Sequence, residues 1–198
     1  MQSTLSSPQG LAQSSARSFS ESLPGRIVMI VAATAFIAIC AHVTVPLPFT
    51  PVPLTMQDFA VLLVGLTLGP AGGFAALALY LAEGAMGMPV FTPHGLGGVA
   101  QIIGPTGGFL LSFPLVAAMA GWGTRWLKLN NGFARAAVAC ALASAVLFAF
   151  GATWLAQYGH LSATAVLHMA VTPFLPGNAV KIAAAAGIFS ALDRKRRA

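Results

Sequence analysis

The sequence predicts an all-α integral membrane protein, a bundle of six transmembrane helices joined by Pro- and Gly-rich loops. Three observations carry this. Charged residues make up only 7% of the 198 positions and hydrophobic residues 57%, whereas an ordinary soluble domain is about 25% charged. From Arg26 onward the chain divides into apolar stretches near the roughly 20 residues that span a bilayer, separated by segments rich in Pro and Gly. Finally, the cations are distributed so that six spans place almost all of them on one side. The same composition excludes a disordered chain, which needs low hydrophobicity, and a disulfide scaffold, because there are only 2 cysteines.

Taken in order, residues 1–24 hold Arg17, Glu21 and many serines but no apolar run of the roughly 7 to 15 residues a secretory signal needs. They read as a mobile Ser-rich cytoplasmic tail, with an organelle transit peptide as the alternative. Residues 25–193 form the six-helix membrane domain. Its first helix is expected from Arg26 to Val43 and a short second one from Thr55 to Leu68. The second can span only if its approach, Pro46 to Pro53, dips into the membrane under a cover of protein, because unpaired backbone facing lipid is prohibitively costly. The third helix is expected from Pro70 to Gly87, the fourth from Pro105 to Leu127, the fifth from Arg135 to Tyr158 and the sixth from Pro176 to Leu192. Three of these begin with a Pro in the first turn, where the missing amide costs nothing. Residues 194–198 are a basic cytoplasmic tail.

With the N-terminus inside, the cytoplasmic segments hold Arg17, Arg26, Arg125, Lys128, Arg135, Arg194, Lys195, Arg196 and Arg197, and the outer loops hold no Lys or Arg. This is the asymmetry of the positive-inside rule. The net charge of +6 is therefore an orientation signal and gives no reason to expect a nucleic-acid partner. The one remaining cation, Lys181, falls inside the sixth helix, roughly 7 to 8 Å from its outer end at 1.5 Å per residue. Asp58, Glu83 and the four histidines fall in the same outer half. Intramembrane charges normally face a cavity or pair with each other, so the loops are expected to close an outward-facing polar chamber. Lys181 has snorkelling to the interface as its bland alternative. Glu83 either pairs with Lys181 or meets a ligand, and Asp58 is expected to cap the second helix through the helix dipole. Cys40 and Cys140 read as small hydrophobes.

The histidines lack metal-ligand spacing, and no catalytic role, cofactor or metal is expected. The chain has no phosphate-cradling P-loop and no H-E-x-x-H or G-x-S-x-G motif. Gly95 to Ala100 matches the letters of a dinucleotide fingerprint, but no strand precedes it and no acid follows at the needed distance, so it is expected to be flexible loop. Leu68-Gly69-Pro70-Ala71-Gly72-Gly73-Phe74 is echoed by Ile103-Gly104-Pro105-Thr106-Gly107-Gly108-Phe109, small residues that let helix backbones approach and a candidate remnant of an inverted repeat. In Pro176-Gly177-Asn178-Ala179-Val180-Lys181, Asn178 and Lys181 share a face beside a helix N-terminus that favours an anion.

Four stretches together carry a family resemblance: Pro46 to Gln57 (PLPFTPVPLTMQ), Gly84 to Phe91 (GAMGMPVF), Gly104 to Phe109 (GPTGGF) and Pro173 to Lys181 (PFLPGNAVK). The chain resembles the BioY family over about residues 26 to 192, in the family's order. BioY proteins are biotin-binding substrate-capture (S) subunits of energy-coupling factor (ECF) vitamin transporters. The resemblance implies biotin uptake across the bacterial inner membrane by a multi-pass protein with both termini cytoplasmic. It also implies a coupling transmembrane protein and an ATPase pair as partners, with homo-oligomers where these are absent. The alternative is a self-sufficient proton-coupled secondary carrier in which Glu83 titrates.

Carried over residue by residue, Lys181 matches the family's lysine after Pro-Gly and is expected to contact biotin. Asn178 stands where the family more often has Asp. His94 lies in the family's variable Gly-rich gate, where some members use an Arg that this chain lacks. Phe49, Phe91 and Phe174 are expected around the ring body, with Gln57, Asn178 and Lys181 at the polar ends and Glu83 as a further contact. This would be a mostly apolar site with few placed polar groups. In the first helix, Ala32, Ala35, Ala38 and Ala41 form a ridge of spacing three, whereas the coupling contact of the family is an A-x-x-x-A face.

Overall fold

The computed structural model describes residues 22–197, so most of the Ser-rich segment lies outside the described residues. The first helix, α1, is Leu23–His42, capped by Ser22, whose hydroxyl accepts from Gly25 N–H, with Pro24 in the first turn. It starts three residues before the expected Arg26. Two short strands follow, β1 (Thr44–Val45) and β2 (Leu54–Thr55), paired antiparallel with Thr44 opposite Thr55. The Pro-rich approach is thus a β-hairpin loop. Within it Val52 is buried, whereas Pro46, Pro48, Phe49 and Pro51 are exposed.

The next helix, α2, spans Gln57–Ala85 but is two helices, because Gly69 interrupts it at φ 74°, ψ −177°. Only glycine adopts this backbone region without strain. The chain doubles back there. A Cβ on Gly73 would lie 3.1 Å from Gly65 Cα, although eight residues of continuous helix would separate them by about 12 Å. Gln57 and Tyr80 likewise meet in a hydrogen bond. The expected second and third helices are therefore the two arms of an antiparallel hairpin, and Pro70 opens the second arm. The first arm is about 18 Å long at 1.5 Å per residue, too short to span alone, and the β-hairpin continues it.

A six-residue helix, α3 (Gly98–Ile103), lies where the sequence reading expected flexible loop. The helices α4 (Gly107–Trp126) and α5 (Gly132–Gly159) follow, the latter capped by Asn131. Pro105 precedes α4 and does not start it. The segment after Gly159, expected as outer loop, is also helical: α6 (Ala163–Val166), a π-turn Leu167–Val171 and a 3₁₀ turn Thr172–Phe174 lead into α7 (Leu175–Arg197). Pro173 has no N–H to offer the carbonyl of Met169 four residues back. Thr50 Oγ1, from the β-hairpin loop, donates to that carbonyl at 2.7 Å, which fastens the loop onto the turn. The last helix continues past Leu192, so Arg194 and Lys195 extend it.

With the arms of α2 counted separately, and the short α3 and α6 left aside, the described residues form six long antiparallel helices. Among the described residues five helical stretches, one of them the folded α2, are long and apolar enough to cross a membrane. α2 packs against α1, α4 and α7, and α5 packs against α4 and α7. The core is filled by Ile37, Leu62, Leu77, Phe113, Val116 and Leu147. Close approach depends on small residues: a Cβ on Gly65 would collide with the Ala117 backbone, and one on Gly108 with Trp154. The outward faces are apolar too, with Ile27, Ile39, Phe74, Trp122, Leu142 and Val180 exposed, as a lipid-facing surface requires. The two Gly-Pro-x-Gly-Gly-Phe copies differ in backbone, Gly104 being extended at φ −77° where Gly69 is left-handed. Arg26, the turn at Gly69, Arg125 and the Arg135–Asp193 ion pair lie at one end of the bundle; the β-hairpin and α3 close the other.

Candidate functional site

At the β-hairpin end an inner cavity of about 50 Å³ opens between α2, α4 and α5. Its body is aromatic: Phe91, Phe109, Phe113, Phe148 and Phe174 line it. Its polar groups are few, coming from Thr55 of β2, from Gln57 and Asp58 at the start of α2, and from Thr92, Gln101 and Thr106 at the rim. Outside it lies a wider vestibule of about 440 Å³, edged by Leu47, Thr50, His94, Leu96 and Tyr158. Pro53, Thr92, Gln101 and Thr106 line both spaces and are the wall between them.

Gln101 holds that wall together. Its carbonyl accepts from Gly97 N–H at 3.3 Å, and its Nε2 donates to Thr106 Oγ1 at 3.2 Å and Thr92 Oγ1 at 3.4 Å. Three parts of the chain, the loop after Phe91, α3 and the start of α4, thereby meet on one buried amide. Trp154 fixes the same region from α5, its Nε1 donating to Gly104 O at 2.8 Å.

Below the cavity, Lys181 Nζ donates to Asp58 Oδ2 at 2.8 Å, and Lys181 is 6% exposed. The lysine does not snorkel. Its partner is Asp58 and not Glu83; Asp58 sits in the first turn of α2, where its carboxylate also complements the helix dipole. The acid lines the cavity and the base stands behind it. Glu83 is instead a tie between helices, accepting from Thr34 Oγ1 of α1 at 3.1 Å; it lines neither space. Asn178 is buried on the inward face of α7, where Ser144 Oγ approaches its Oδ1 at 3.5 Å.

Of the residues expected at the site, the structure brings Gln57, Phe91 and Phe174 to the inner cavity, sets Lys181 against the cavity's Asp58, and buries Asn178 against Ser144 without bringing it to the lining. His94 edges the vestibule. Phe49 is 55% exposed and lines neither space, because the residues that turn inward from its loop are Val52 and Pro53. Sequence reasoning missed Gln101, Thr92, Thr106 and the aromatic residues of α4 and α5, none of which differs in local pattern from ordinary helix or loop. Asp58 had one usable signal: a buried lysine needs a counter-charge, and only two acids lie in that half of the sequence-defined bundle. Among the described residues no group of three or more His, Cys, Asp or Glu is arranged to hold a metal.

Comparisons with known proteins agree with one another. The BioY family model matches residues 12–198. A protein of Pyrococcus horikoshii named probable biotin transporter BioY is 38% identical over 138 residues, covering 68% of this chain and 76% of that one. Biotin transporter BioY2 of Lactococcus lactis subsp. cremoris is 32% identical over 149 residues, covering 75% and 79%. A crystal structure of the S-component for biotin from an ECF-type ABC transporter superposes with a TM-score of 0.78 at 27% identity, covering 85% of this chain and 90% of that one.

Proposed function

The chain belongs to the BioY family, and from that membership and the cavity we infer that it takes up biotin as the substrate-binding membrane subunit of an ECF-type transporter. It is a multi-pass membrane transporter component and not an enzyme. The observation that carries the reading is the aromatic-lined cavity with a few polar groups at its floor and rim. Biotin is a compact apolar ring body with a ureido group at one end and a valerate carboxylate at the other. An aromatic wall suits the ring, and Gln57, Asn178 and the Lys181–Asp58 pair offer donors and acceptors for the polar ends.

The gathering of Arg26, Arg125, Lys128 and Arg135 at one bundle end supports, by the positive-inside rule, a reading in which that end and both termini face the cytoplasm across the bacterial plasma membrane and the vestibule opens outside. An energy-coupling transmembrane protein and an ATPase pair complete the transporter. Ala32 and Ala35 on α1 are exposed while Ala41 is buried, so the upper part of the alanine ridge is free to meet the coupling protein. Proton-coupled carriage by the chain alone has less support, because Glu83 is engaged with Thr34 away from the cavity.

Uptake of labelled biotin into bacteria lacking their own biotin transporter tests this. Uptake is expected to require the ATPase pair. Uptake without ATPases that collapses with a protonophore would establish the carrier instead.

A further inference from the structure

Resting on the biotin-capture reading, the structure assigns a specificity role to a residue that does not line the cavity. Tyr80, fully buried on the second arm of α2, accepts a hydrogen bond from Gln57 Nε2 at 2.8 Å, and its own hydroxyl donates to Val90 O at 2.8 Å. The direction of this chain is fixed by chemistry. A backbone carbonyl can only accept, and a phenol has one proton. With that proton on Val90 O, the Tyr80 oxygen can only accept from Gln57, so the glutamine must turn its NH₂ toward the tyrosine.

Gln57 Oε1 is the end left over. Gln57 lines the cavity, and its carbonyl oxygen makes no hydrogen bond among the described residues. An acceptor left open on a cavity-lining residue selects a ligand group that donates, and of biotin's polar ends at neutral pH the ureido N–H donates while the carboxylate only accepts. We propose that Tyr80 is a positioning residue which, through Gln57, makes the floor of the cavity a reader of the ureido N–H. The tyrosine ring also meets Phe91 edge-on, with centroids 5.4 Å apart, so the same side chain orients one polar and one aromatic member of the wall.

Tyr80→Phe keeps the ring and removes the relay. The test compares binding of biotin, a ureido-N-methylated biotin and biotin methyl ester to the purified full chain and to the variant. The unmodified chain is expected to reject the N-methylated ligand. Tyr80→Phe is expected to lose about tenfold of that discrimination while the biotin to methyl ester ratio stays unchanged. In a Gln57→Leu background, Tyr80→Phe should change the discrimination no further. Equal weakening for all three ligands, or an undiminished effect in the Gln57→Leu background, would reduce Tyr80 to a packing role. If Tyr80→Phe does not fold, Gln57→Leu alone decides: retained rejection of the N-methylated ligand overturns the proposal. No saturable binding of biotin itself by the folded chain would sink the capture reading. Biotin binding without rejection of the N-methylated ligand would sink only this inference.

Discussion

Lys181 Nζ stands 2.8 Å from Asp58 Oδ2, joining the last helix to the first turn of the α2 hairpin across 123 residues of sequence. Asp58, itself only partly buried, supplies the counter-charge that lets Lys181 be buried. Removing one partner of a fully buried pair strands a charge and costs about 3 to 5 kcal/mol, an upper bound for this partly buried pair, whereas replacing both is often near neutral. Lys181→Met and Asp58→Asn are therefore expected to lower the thermal unfolding temperature of the detergent-solubilised protein markedly, and the double variant to recover most of the loss. Additive losses in the double variant would show that the two residues act independently.

A second expectation concerns Asn178. Ser144 Oγ faces its Oδ1, which an aspartate would keep, and the position is in the first turns of α7, where a carboxylate complements the helix dipole by about 0.3 to 1 kcal/mol. Asn178→Asp is expected to fold and to bind biotin within about fivefold of the parent, that energy range converting to a factor of roughly five at most. A much larger loss in a binding titration would place the biotin carboxylate, and not the ureido ring, beside this residue.

How much of this was legible follows from which signals are local. The six helices could be read because apolar length and Gly-Pro starts are written in short stretches, and the hairpin fold of α2 is announced by Gly69-Pro70. The helix α3 and the helical segment from Ala163 to Phe174 could not, because their short lengths owe their order to contacts such as Thr50 with Met169 O. Lys181 stood out as the one cation inside the outer half. Its partner did not, since a carboxylate in a first helical turn is equally well accounted for by the dipole. Phe49 was misplaced because the Pro-rich loop has no period from which to tell which side chains turn inward.

The wall between vestibule and cavity gives a third expectation. Gln101→Leu removes three hydrogen bonds that join the loop after Phe91 to α3 and α4, each worth about 0.5 to 1.5 kcal/mol. Biotin is expected to dissociate at least about tenfold faster, since roughly 1.4 kcal/mol is a factor of ten. Gly95→Ala should act in the same direction, because a Cβ there would collide with the Gln101 amide. A dissociation time course unchanged in both variants would show that the wall does not hold the ligand.

The fourth concerns the turn of α2. Gly69 occupies φ 74°, ψ −177°, a region that costs other residues about 1 to 3 kcal/mol. Gly69→Ala is expected to destabilise the bundle by that amount in thermal unfolding, with biotin affinity preserved because the turn lies at the opposite end from the cavity. An affinity loss larger than the stability loss would contradict the separation of the two ends.

One chain is expected to bind one biotin at the aromatic cavity. Equilibrium titration of labelled biotin into the purified, monodisperse full chain measures this, with Phe113→Asp as the cavity control, since Phe113 is buried and lines the space. Saturation at one ligand per chain, displaced by unlabelled biotin and lost in the cavity variant, is the expected result. Absence of saturable binding by the folded chain, or binding undiminished in a folded Phe113→Asp variant, would contradict it.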